Sequence, residues 1–217
     1  MKIIIPKQQN YEVAQKLAWE ALDSADFTQI AKKAGAKWDG KKKTITVNLL
    51  GKNLEVHPLD KSVGAPLFNR RGDAAPSDEP WEIIIVLHYL AKSNGAPLTG
   101  RLISYKEIPD GRLYWPNFVA RTHKILLKAF AKNISKLAEA AKVVDGEPSE
   151  GADVSIRVQA LPRVPIIIQM WKGDEEFPPE TAFLFDSSIT NYLPTEDITV
   201  LSQMLAIKLA TAAKDRP

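Results

Sequence analysis

Two short apolar runs near the C-terminus constrain the fold more than any other feature of the sequence. VPIIIQMW covers residues 164–171 and TAFLFD covers residues 181–186, with the polar interval GDEEFPPE at 173–180 between them. A continuous apolar run of this length is typical of a central strand that is buried on both faces. An interval this short joins neighbouring strands. The sequence therefore predicts two adjacent strands connected by an acidic turn.

Helical periodicity accounts for much of the remaining chain. Apolar residues recur at helical spacing from Tyr11, and a second short helix is placed between Asp26 as its N-cap and Gly35 as its stop. Further helices are predicted between Pro80 and Gly95, with Ser77 or Asp78 as the N-cap, from Pro116 to Ala141 as the longest helix, and after Thr195. The buried stripe of the longest helix is predicted to comprise Val119, Leu126, Leu127, Phe130, Ile134, Leu137 and Ala141. The inner face of the last helix is predicted to comprise Ile198, Leu201, Met204, Leu205 and Leu209.

Alternating patterns predict two more strand pairs. Residues 44–57 alternate apolar and polar side chains as a β-hairpin, and residues 101–115 are predicted to form another, with its turn at 109–111. We therefore expect an α+β fold, with one antiparallel or mixed sheet packed by helices. The prediction is a single domain over 1–217, in which residues 58–80, rich in Pro, Gly and charge, form a long irregular loop.

Composition excludes several classes of function. The chain has no cysteine, which removes thiolate nucleophiles, Cys-ligated zinc and self-supplied iron–sulfur clusters. The net charge of +3 is too weak to indicate nucleic-acid binding. No apolar run approaches the roughly 20 residues of a membrane span, and the first one is too short for a signal peptide. We expect a cytoplasmic protein that binds neither nucleic acid nor membrane.

The acidic interval has two competing interpretations. Asp174, Glu175 and Glu176 are typical of an exposed turn, but Trp171 and Phe177 bracket them. A carboxylate beside aromatic surface has a raised pKa, as a general acid requires. Asp174 and Glu176 could bind a metal ion only unspecifically, because Mg²⁺ or Ca²⁺ needs more oxygen ligands than one turn offers, and no metal site is predicted.

The three acids are predicted to differ in their surroundings. Asp174 is expected to accept hydrogen bonds from backbone amides of its own turn, and Glu175 to point into water. Phe177 is expected to fold back onto the sheet and to draw Glu176 into a partly buried setting. Glu176 is therefore the preferred candidate for a functional carboxylate.

Histidines and aromatic residues supply the other candidates. His88 lies in a very apolar predicted helix and is expected to be buried and uncharged, either as a core residue or as an axial ligand or proton shuttle. His123 is expected to be partly buried. No two of the three histidines share a helical face, and no HExxH motif occurs. The residues expected to line or rim a pocket are His88, Tyr89, Tyr105, Trp115, Trp171, Asp174, Glu176 and Asp186.

Two longer segments carry a resemblance to a known family. LHYLAKSNGAPLTGRLISYKEIPDGRLYWPNF and PIIIQMWKGDEEFPPETAFLFDSSITNYLPTEDI resemble a family of unknown function, and the second segment is the more specific. The similarity runs from GAKWDGKKKTITVNLLG to the C-terminal helix. The resemblance implies members mainly in anaerobic bacteria and archaea, some with an added iron–sulfur module and some associated with corrinoid metabolism. It names no reaction and no catalytic residue.

Three functional hypotheses follow. The first is an accessory protein of anaerobic redox or corrinoid-related metabolism that binds a ligand, a cofactor of unknown identity, or a protein partner carrying an iron–sulfur cluster or corrinoid. The second is an enzyme that uses carboxylates and His88. The third is a structural subunit of a larger complex. A pocket with convergent polar groups would favour the first two, and an exposed apolar patch would favour the third.

Overall fold

A computed structural model describes residues 8–23, 26–64 and 80–214, with side chains from Glu12 onward. The α+β class is confirmed, and the strands within each sheet pair antiparallel. They form two sheets rather than the expected one. The described residues divide into two compact units. The first holds those up to Leu49 together with those from Asn53 to Ala96, and the second holds Leu50–Lys52 and the described residues from Pro97 on.

The first unit combines helices with a four-stranded sheet. Its elements are α1 (Gln8–Glu20), α2 (Phe27–Ala34), β1 (Lys37–Asp39), β2 (Thr44–Leu49), β3 (Lys52–His57), β4 (Ser62–Gly64) and α3 (Pro80–Lys92). The strand order is β1-β2-β3-β4, and α3 contacts α1, α2 and β2. The predicted hairpin at 44–57 corresponds to β2 and β3.

The predicted caps of α2 are confirmed. The Asp26 side chain accepts hydrogen bonds from the backbone N–H groups of Thr28 at 2.9 Å and Gln29 at 3.3 Å, which satisfies two free donors of the first turn. Gly35 ends the helix with a φ of 65°, a left-handed conformation that glycine adopts without steric cost. Short-range signals were therefore sufficient to place this helix.

The irregular loop expected over 58–80 contains a short strand in its described part. Residues 62–64 form β4, which pairs antiparallel with β3 through Val56 and Val63. Pro80 begins α3, so the predicted helix there is confirmed, although its proposed caps Ser77 and Asp78 lie outside the described residues. Residues 65–79 also lie outside the described residues.

The second unit contains the sheet predicted from the apolar runs. Its elements are β5 (Leu102–Ser104), a 3₁₀ helix (Tyr105–Glu107), α4 (Gly111–Arg121), α5 (His123–Phe130), α6 (Lys136–Ala141), a 3₁₀ helix (Lys142–Val144), β6 (Glu147–Pro148), β7 (Val154–Leu161), β8 (Val164–Trp171), β9 (Glu180–Asp186), a 3₁₀ helix (Ser187–Asn191) and α7 (Thr195–Ala212). The strand order is β5-β9-β8-β7-β6, with every neighbouring pair antiparallel. The apolar run VPIIIQMW is the central strand, as predicted.

The hairpin predicted over 101–115 is wrong. β5 pairs with β9, which follows it by about eighty residues, and Ile103 lies opposite Phe185. After β5 the chain turns into a 3₁₀ helix because the backbone N–H and the hydroxyl of Ser104 both donate to the Glu107 carboxylate, at 2.7 and 2.9 Å. Such local bonds compete with extension of a strand. The predicted turn at 109–111 exists, but it leads into α4.

The single long helix predicted from Pro116 to Ala141 is also wrong. Pro116 lies inside α4, and helical geometry breaks at Thr122, whose φ is −131° and ψ is −71°. The Thr122 hydroxyl donates to the backbone carbonyl of Phe118 at 2.6 Å, a bond that competes with the helical backbone. Much of the predicted stripe is nevertheless buried, in particular Leu126, Phe130, Ile134, Leu137 and Ala141.

The last helix, α7, is the longest described one and packs against α4, α5 and α6. Its predicted inner face is confirmed, since Ile198, Leu201, Met204, Leu205 and Leu209 are all buried. Within the described part of the chain, no helix combines the length and the apolarity needed to cross a membrane.

That residues 1–217 behave as a single domain, which unfolds as one cooperative unit, stays a prediction. The first unit is interrupted in sequence, because residues 50–52 cluster with the second unit. Neither unit is one uninterrupted segment, so we expect the whole chain to unfold in one cooperative step. Calorimetry would contradict this expectation if it resolved two separate transitions.

Candidate functional site

The eight residues proposed from the sequence fall in several places. His88 and Tyr89 belong to the first unit, on α3. The other six belong to the second unit. Tyr105 and Trp115 are an aromatic pair on either side of the turn into α4. Trp171, Asp174 and Glu176 lie around the turn after β8, and Asp186 lies at the end of β9.

The two candidates on α3 have different surroundings from those predicted. His88 is half-buried rather than buried. It lies seven residues after Trp81 and therefore on the same face of α3, and both side chains on this face are only partly buried. Tyr89 is completely buried, and its hydroxyl donates to the backbone carbonyl of Ala34 at the end of α2. Tyr89 therefore joins two helices of the first unit.

Tyr105 and Trp115 are parts of an aromatic cluster. The ring of Tyr105 stacks on that of Phe118 with centroids 3.9 Å apart, and the ring of Trp115 lies 5.9 Å from that of Phe118. The Tyr105 hydroxyl is 2.7 Å from the Thr199 hydroxyl on α7, and burial raises the pKa of this tyrosine. Phe183 and Phe185 of β9 meet Phe118 edge-on. These contacts hold α4 to the sheet.

His123 has the surroundings that were predicted for His88. It is 9% exposed, and the rings of Trp115 and Phe183 lie 5.2 and 5.6 Å from it. Burial, with a smaller effect from Lys106, lowers the pKa of His123 to about 4. The ring is therefore neutral near pH 7.

Hydrogen bonding assigns the tautomer of this neutral ring. Nδ1 of His123 is 3.0 Å from the Thr122 hydroxyl, whose only hydrogen is donated to Phe118. Nδ1 must therefore carry the proton, and Nε2 has the lone pair. Sequence reasoning underestimated His123 because its burial depends on β9, far away in the chain.

Asp186 connects the end of β9 to the segment before β5. One carboxylate oxygen accepts from the backbone N–H and the hydroxyl of Thr99, both at 3.0 Å, and from the Ser188 N–H at 2.9 Å. The other oxygen accepts from the Gly100 N–H at 2.7 Å. Burial alone would raise the pKa of Asp186, but the bonds from Ser188, Thr99 and Gly100 outweigh it and hold the pKa at about 2. Asp186 is a structural clamp.

The acidic turn connects β8 to β9, as predicted, with Trp171 paired opposite Glu180. One carboxylate oxygen of Asp174 accepts from the N–H groups of Glu176 at 2.9 Å and Phe177 at 2.8 Å. The Asp174 N–H in turn donates to the Phe177 carbonyl at 2.9 Å. Hydrogen bonds from Phe177 and then Glu176 lower the pKa of Asp174. The role predicted for Asp174 is confirmed.

Gly173 allows this turn to close tightly. A Cβ atom at Gly173 would lie 2.6 Å from Cδ of Pro179 and 3.0 Å from the Phe177 carbonyl oxygen, closer than side chains approach. The glycine, the Asp174 bonds and two consecutive prolines each restrict the backbone of the turn. These restraints position the side chain at its tip.

The predictions for Glu176 and Phe177 are wrong. Phe177 is 66% exposed and does not fold back onto the sheet, and Glu176 is exposed like Glu175. The Asp174 carboxylate accepts from the N–H groups of Glu176 and Phe177, and these bonds fix the backbone on which Phe177 lies. The aromatic side chain is presented to solvent, and Glu176 has no apolar cover.

A groove of about 450 Å³ lies beside this turn. One wall is the connection between α5 and α6, residues 131–135, and the other is the turn itself, at residues 172–174 and 177–179. Lys132 and Lys172 line the groove together with Asp174 and Phe177. Of the eight candidates, Asp174 lines this groove, and the role of the acidic turn as the rim of a functional pocket stays a prediction.

Sequence reasoning missed the two groove lysines. A signal for Lys132 was present, because lysines recur every four residues at 124, 128, 132 and 136. Among the described residues, no group of three or more His, Asp or Glu side chains could hold a metal ion. The lining of the groove mixes apolar and charged side chains.

Comparison with known proteins identifies the family but not an activity. No curated protein and no solved structure matches the chain. A family model described as a domain of unknown function, DUF3786, matches residues 26–208, which include the groove, its turn and all eight candidate residues. The chain belongs to the DUF3786 family.

Proposed function

We propose that this chain is a partner-binding protein and that the turn of residues 172–179 with its groove is the contact site. The observation that carries the proposal is Phe177, which is 66% exposed on a turn that hydrogen bonds and prolines restrict. A large aromatic side chain left in water on a rigid support gains free energy when a partner covers it. The gain is roughly 2–3 kcal/mol for full burial of such a side chain.

Rigidity supports binding because it lowers the entropic cost of association. The turn does not have to order when the partner arrives, since its backbone bonds are already made. The adjoining groove supplies apolar surface from Pro178 and Pro179 and charged groups from Lys132 and Lys172. A central aromatic anchor with a charged surround is the usual anatomy of an energetic centre in a protein interface.

The enzyme alternative receives less support from the geometry. The carboxylates of Asp174 and Asp186 already accept backbone hydrogen bonds, and their lowered pKa values suit structural acceptors better than general acids. Glu176 is exposed and has no apolar cover. A structural subunit would stay permanently bound in its complex, whereas the proposed contact is reversible. A partner that dissociates reversibly would therefore favour our proposal over the structural-subunit alternative.

The cellular setting is a further part of the proposal and rests on the resemblance stated above. We infer an accessory role in anaerobic redox or corrinoid-related metabolism, in the cytoplasm. Since the chain has no cysteine, an iron–sulfur cluster involved in such a role would be held by the partner. A corrinoid protein is the other partner that the resemblance implies.

The test compares two exposed apolar residues of the second unit. Phe177→Ala removes the proposed anchor, and Leu113→Ala on α4, where the side chain is 77% exposed, is the matched control. Tagged versions are incubated anaerobically with extract of the source cells, and retained proteins are analysed by native mass spectrometry. We expect a protein retained by the wild type and by Leu113→Ala but lost from Phe177→Ala. Equal retention by all three would refute the proposal.

A further inference from the structure

The helices beside the groove have a one-sided charge pattern. Between Asp110 and Glu139 the chain contains no acidic residue, but it contains Arg112, Arg121, Lys124, Lys128, Lys132 and Lys136. This stretch includes α4, α5 and the start of α6. Since the whole chain has a net charge of only +3, positive charge is concentrated on these helices.

The lysine row is defined as Lys124, Lys128 and Lys132. Lys124 and Lys128 are four residues apart on α5 and so lie on one face of it, about 6 Å apart along its axis. Ala131 keeps helical dihedrals, with a φ of −54° and a ψ of −34°, so the spacing continues to Lys132. Lys132 also lines the groove, which makes the row continuous with the proposed contact site.

The amines of the row are available to a partner. All three lysines are exposed, and within the described residues none has a carboxylate within ion-pair distance. Lys172, on the opposite wall of the groove, is exposed and unpaired in the same sense. Unpaired charges of one sign attract a surface of the other sign and accelerate its association.

The turn itself has the opposite sign. Glu175 and Glu176 are exposed next to Phe177, so negative charge lies beside the positive groove. A continuous polyanion such as nucleic acid or an anionic bilayer would be attracted by the row but repelled by these two carboxylates. A folded protein can place acidic side chains opposite the row and neutral or basic ones opposite the turn.

We propose that the lysine row, the groove and Phe177 together dock a protein partner whose facing surface carries a stripe of Asp or Glu side chains beside an apolar pocket for Phe177. This inference rests on the proposed function and adds the class of partner and its charge. The row contacts the acidic stripe, and the aromatic ring supplies the apolar anchor.

A carbodiimide reagent tests the contact directly. It joins a lysine amine to a carboxylate, with loss of water to the reagent, when the two groups touch. The wild-type protein is mixed with anaerobic extract of the source cells, treated with the carbodiimide and digested, and linked peptides are identified by mass spectrometry. We expect isopeptide links from Lys124, Lys128 or Lys132 to Asp or Glu residues of one partner protein. Links only from lysines outside the row and groove would overturn the inference.

Charge variants provide the matched controls. Lys124→Glu/Lys128→Glu should weaken retention of the partner about tenfold, and Lys124→Arg/Lys128→Arg should keep it, because the contact depends on charge. Lys41→Glu/Lys42→Glu makes the same change on an exposed turn of the first unit and should have no effect. Thermal unfolding of each variant establishes that it is folded. Equal retention by the Lys124/Lys128 reversal and the wild type would overturn the inference.

Defined polyanions separate the partner classes. A short oligothymidylate and vesicles rich in phosphatidylserine are tested at physiological ionic strength, and we expect neither to bind appreciably. Tight binding of either probe that is lost in the Lys124/Lys128 reversal would overturn the assignment to a protein. If a partner is retained by the wild type and lost from Phe177→Ala, but no links form from the lysine row, this inference is rejected and the proposed function stands. If retention does not depend on Phe177, the proposed function is rejected too.

Discussion

Two turns of the second unit are built around an aspartate and yet behave differently. Asp186 at the end of β9 is 4% exposed and holds the segment before β5 through three hydrogen bonds, and it accepts a fourth from the Ser188 N–H of its own turn. Asp174 after β8 is exposed and accepts two hydrogen bonds, both from its own turn. The first aspartate connects parts of the chain that are far apart in sequence, and the second organises four consecutive residues.

The difference shows how burial decides what the same chemistry does. Both carboxylates have a lowered pKa because backbone N–H groups stabilise the charged form. Asp186 is 4% exposed and Ser188 is buried, so loss of this carboxylate would leave the Ser188 N–H without an acceptor in a buried setting and would also remove the bonds to Thr99 and Gly100. Around Asp174, water can replace the lost bonds. We therefore expect Asp186 to matter for global stability and Asp174 for the local shape of a contact surface.

The largest expected effect is that of Asp186→Ala. Removing the carboxylate leaves the N–H groups of Thr99, Gly100 and Ser188 without their acceptor, and we expect the free energy of unfolding to fall by about 2–4 kcal/mol. Urea denaturation provides the measurement. Asp186→Asn keeps one acceptor oxygen and should lose less. A loss below about 0.5 kcal/mol for the alanine variant would show that the clamp is not structural.

Acid should reveal the same clamp with a somewhat smaller effect. The folded pKa of Asp186, about 2, lies below the value near 3.9 of an unfolded chain. The carboxylate therefore contributes stability fully above about pH 4 and loses it as pH falls towards 2, by roughly 2 kcal/mol. Urea midpoints of the wild type should fall across this window more steeply than those of Asp186→Asn. Parallel profiles for the two proteins would contradict the assignment.

Local signals predicted the elements whose ends depend on adjacent residues. Asp26 and Gly35 bound α2 because caps act within one turn, and the runs that became β8 and β9 needed only their own composition. The pairing of β5 with β9 could not be predicted this way, since Ile103 and Phe185 meet only in the folded chain. The break at Thr122 was missed because helical periodicity continues through it.

The candidate site was predicted only in part, because local patterns indicate hydrogen bonds within a turn but not burial by distant residues. The role of Asp174 involves bonds within four residues, and it was correctly placed. The exposure of Phe177 depends on whether any distant surface covers it, which no local pattern indicates. Burial of His123 likewise depends on Phe183 of β9. Patterns within one turn predict hydrogen bonds, whereas burial requires knowledge of the tertiary neighbours.

Asp174→Ala should affect the exposed turn without affecting the fold. The variant loses the acceptor for the N–H groups of Glu176 and Phe177, but water can reach both donors. We expect faster hydrogen exchange at these two amides, and a change in the free energy of unfolding well below that of Asp186→Ala. Asp174→Asn, which keeps an acceptor, is the control. Equal destabilisation by Asp174→Ala and Asp186→Ala would remove the distinction between the two turns.

Phe177→Ala should have the smallest effect on stability and the clearest effect on binding. The ring is 66% exposed, so its removal opens no cavity, and we expect the free energy of unfolding to change by less than about 0.5 kcal/mol. The Asp174 bonds involve only the backbone of Phe177, so the turn should keep its shape. A substitution that leaves stability unchanged but abolishes retention of a partner would identify a side chain kept for contact rather than for folding. A loss of several kcal/mol would mean that Phe177 packs against the protein itself, and the turn would then be a structural element like the one around Asp186.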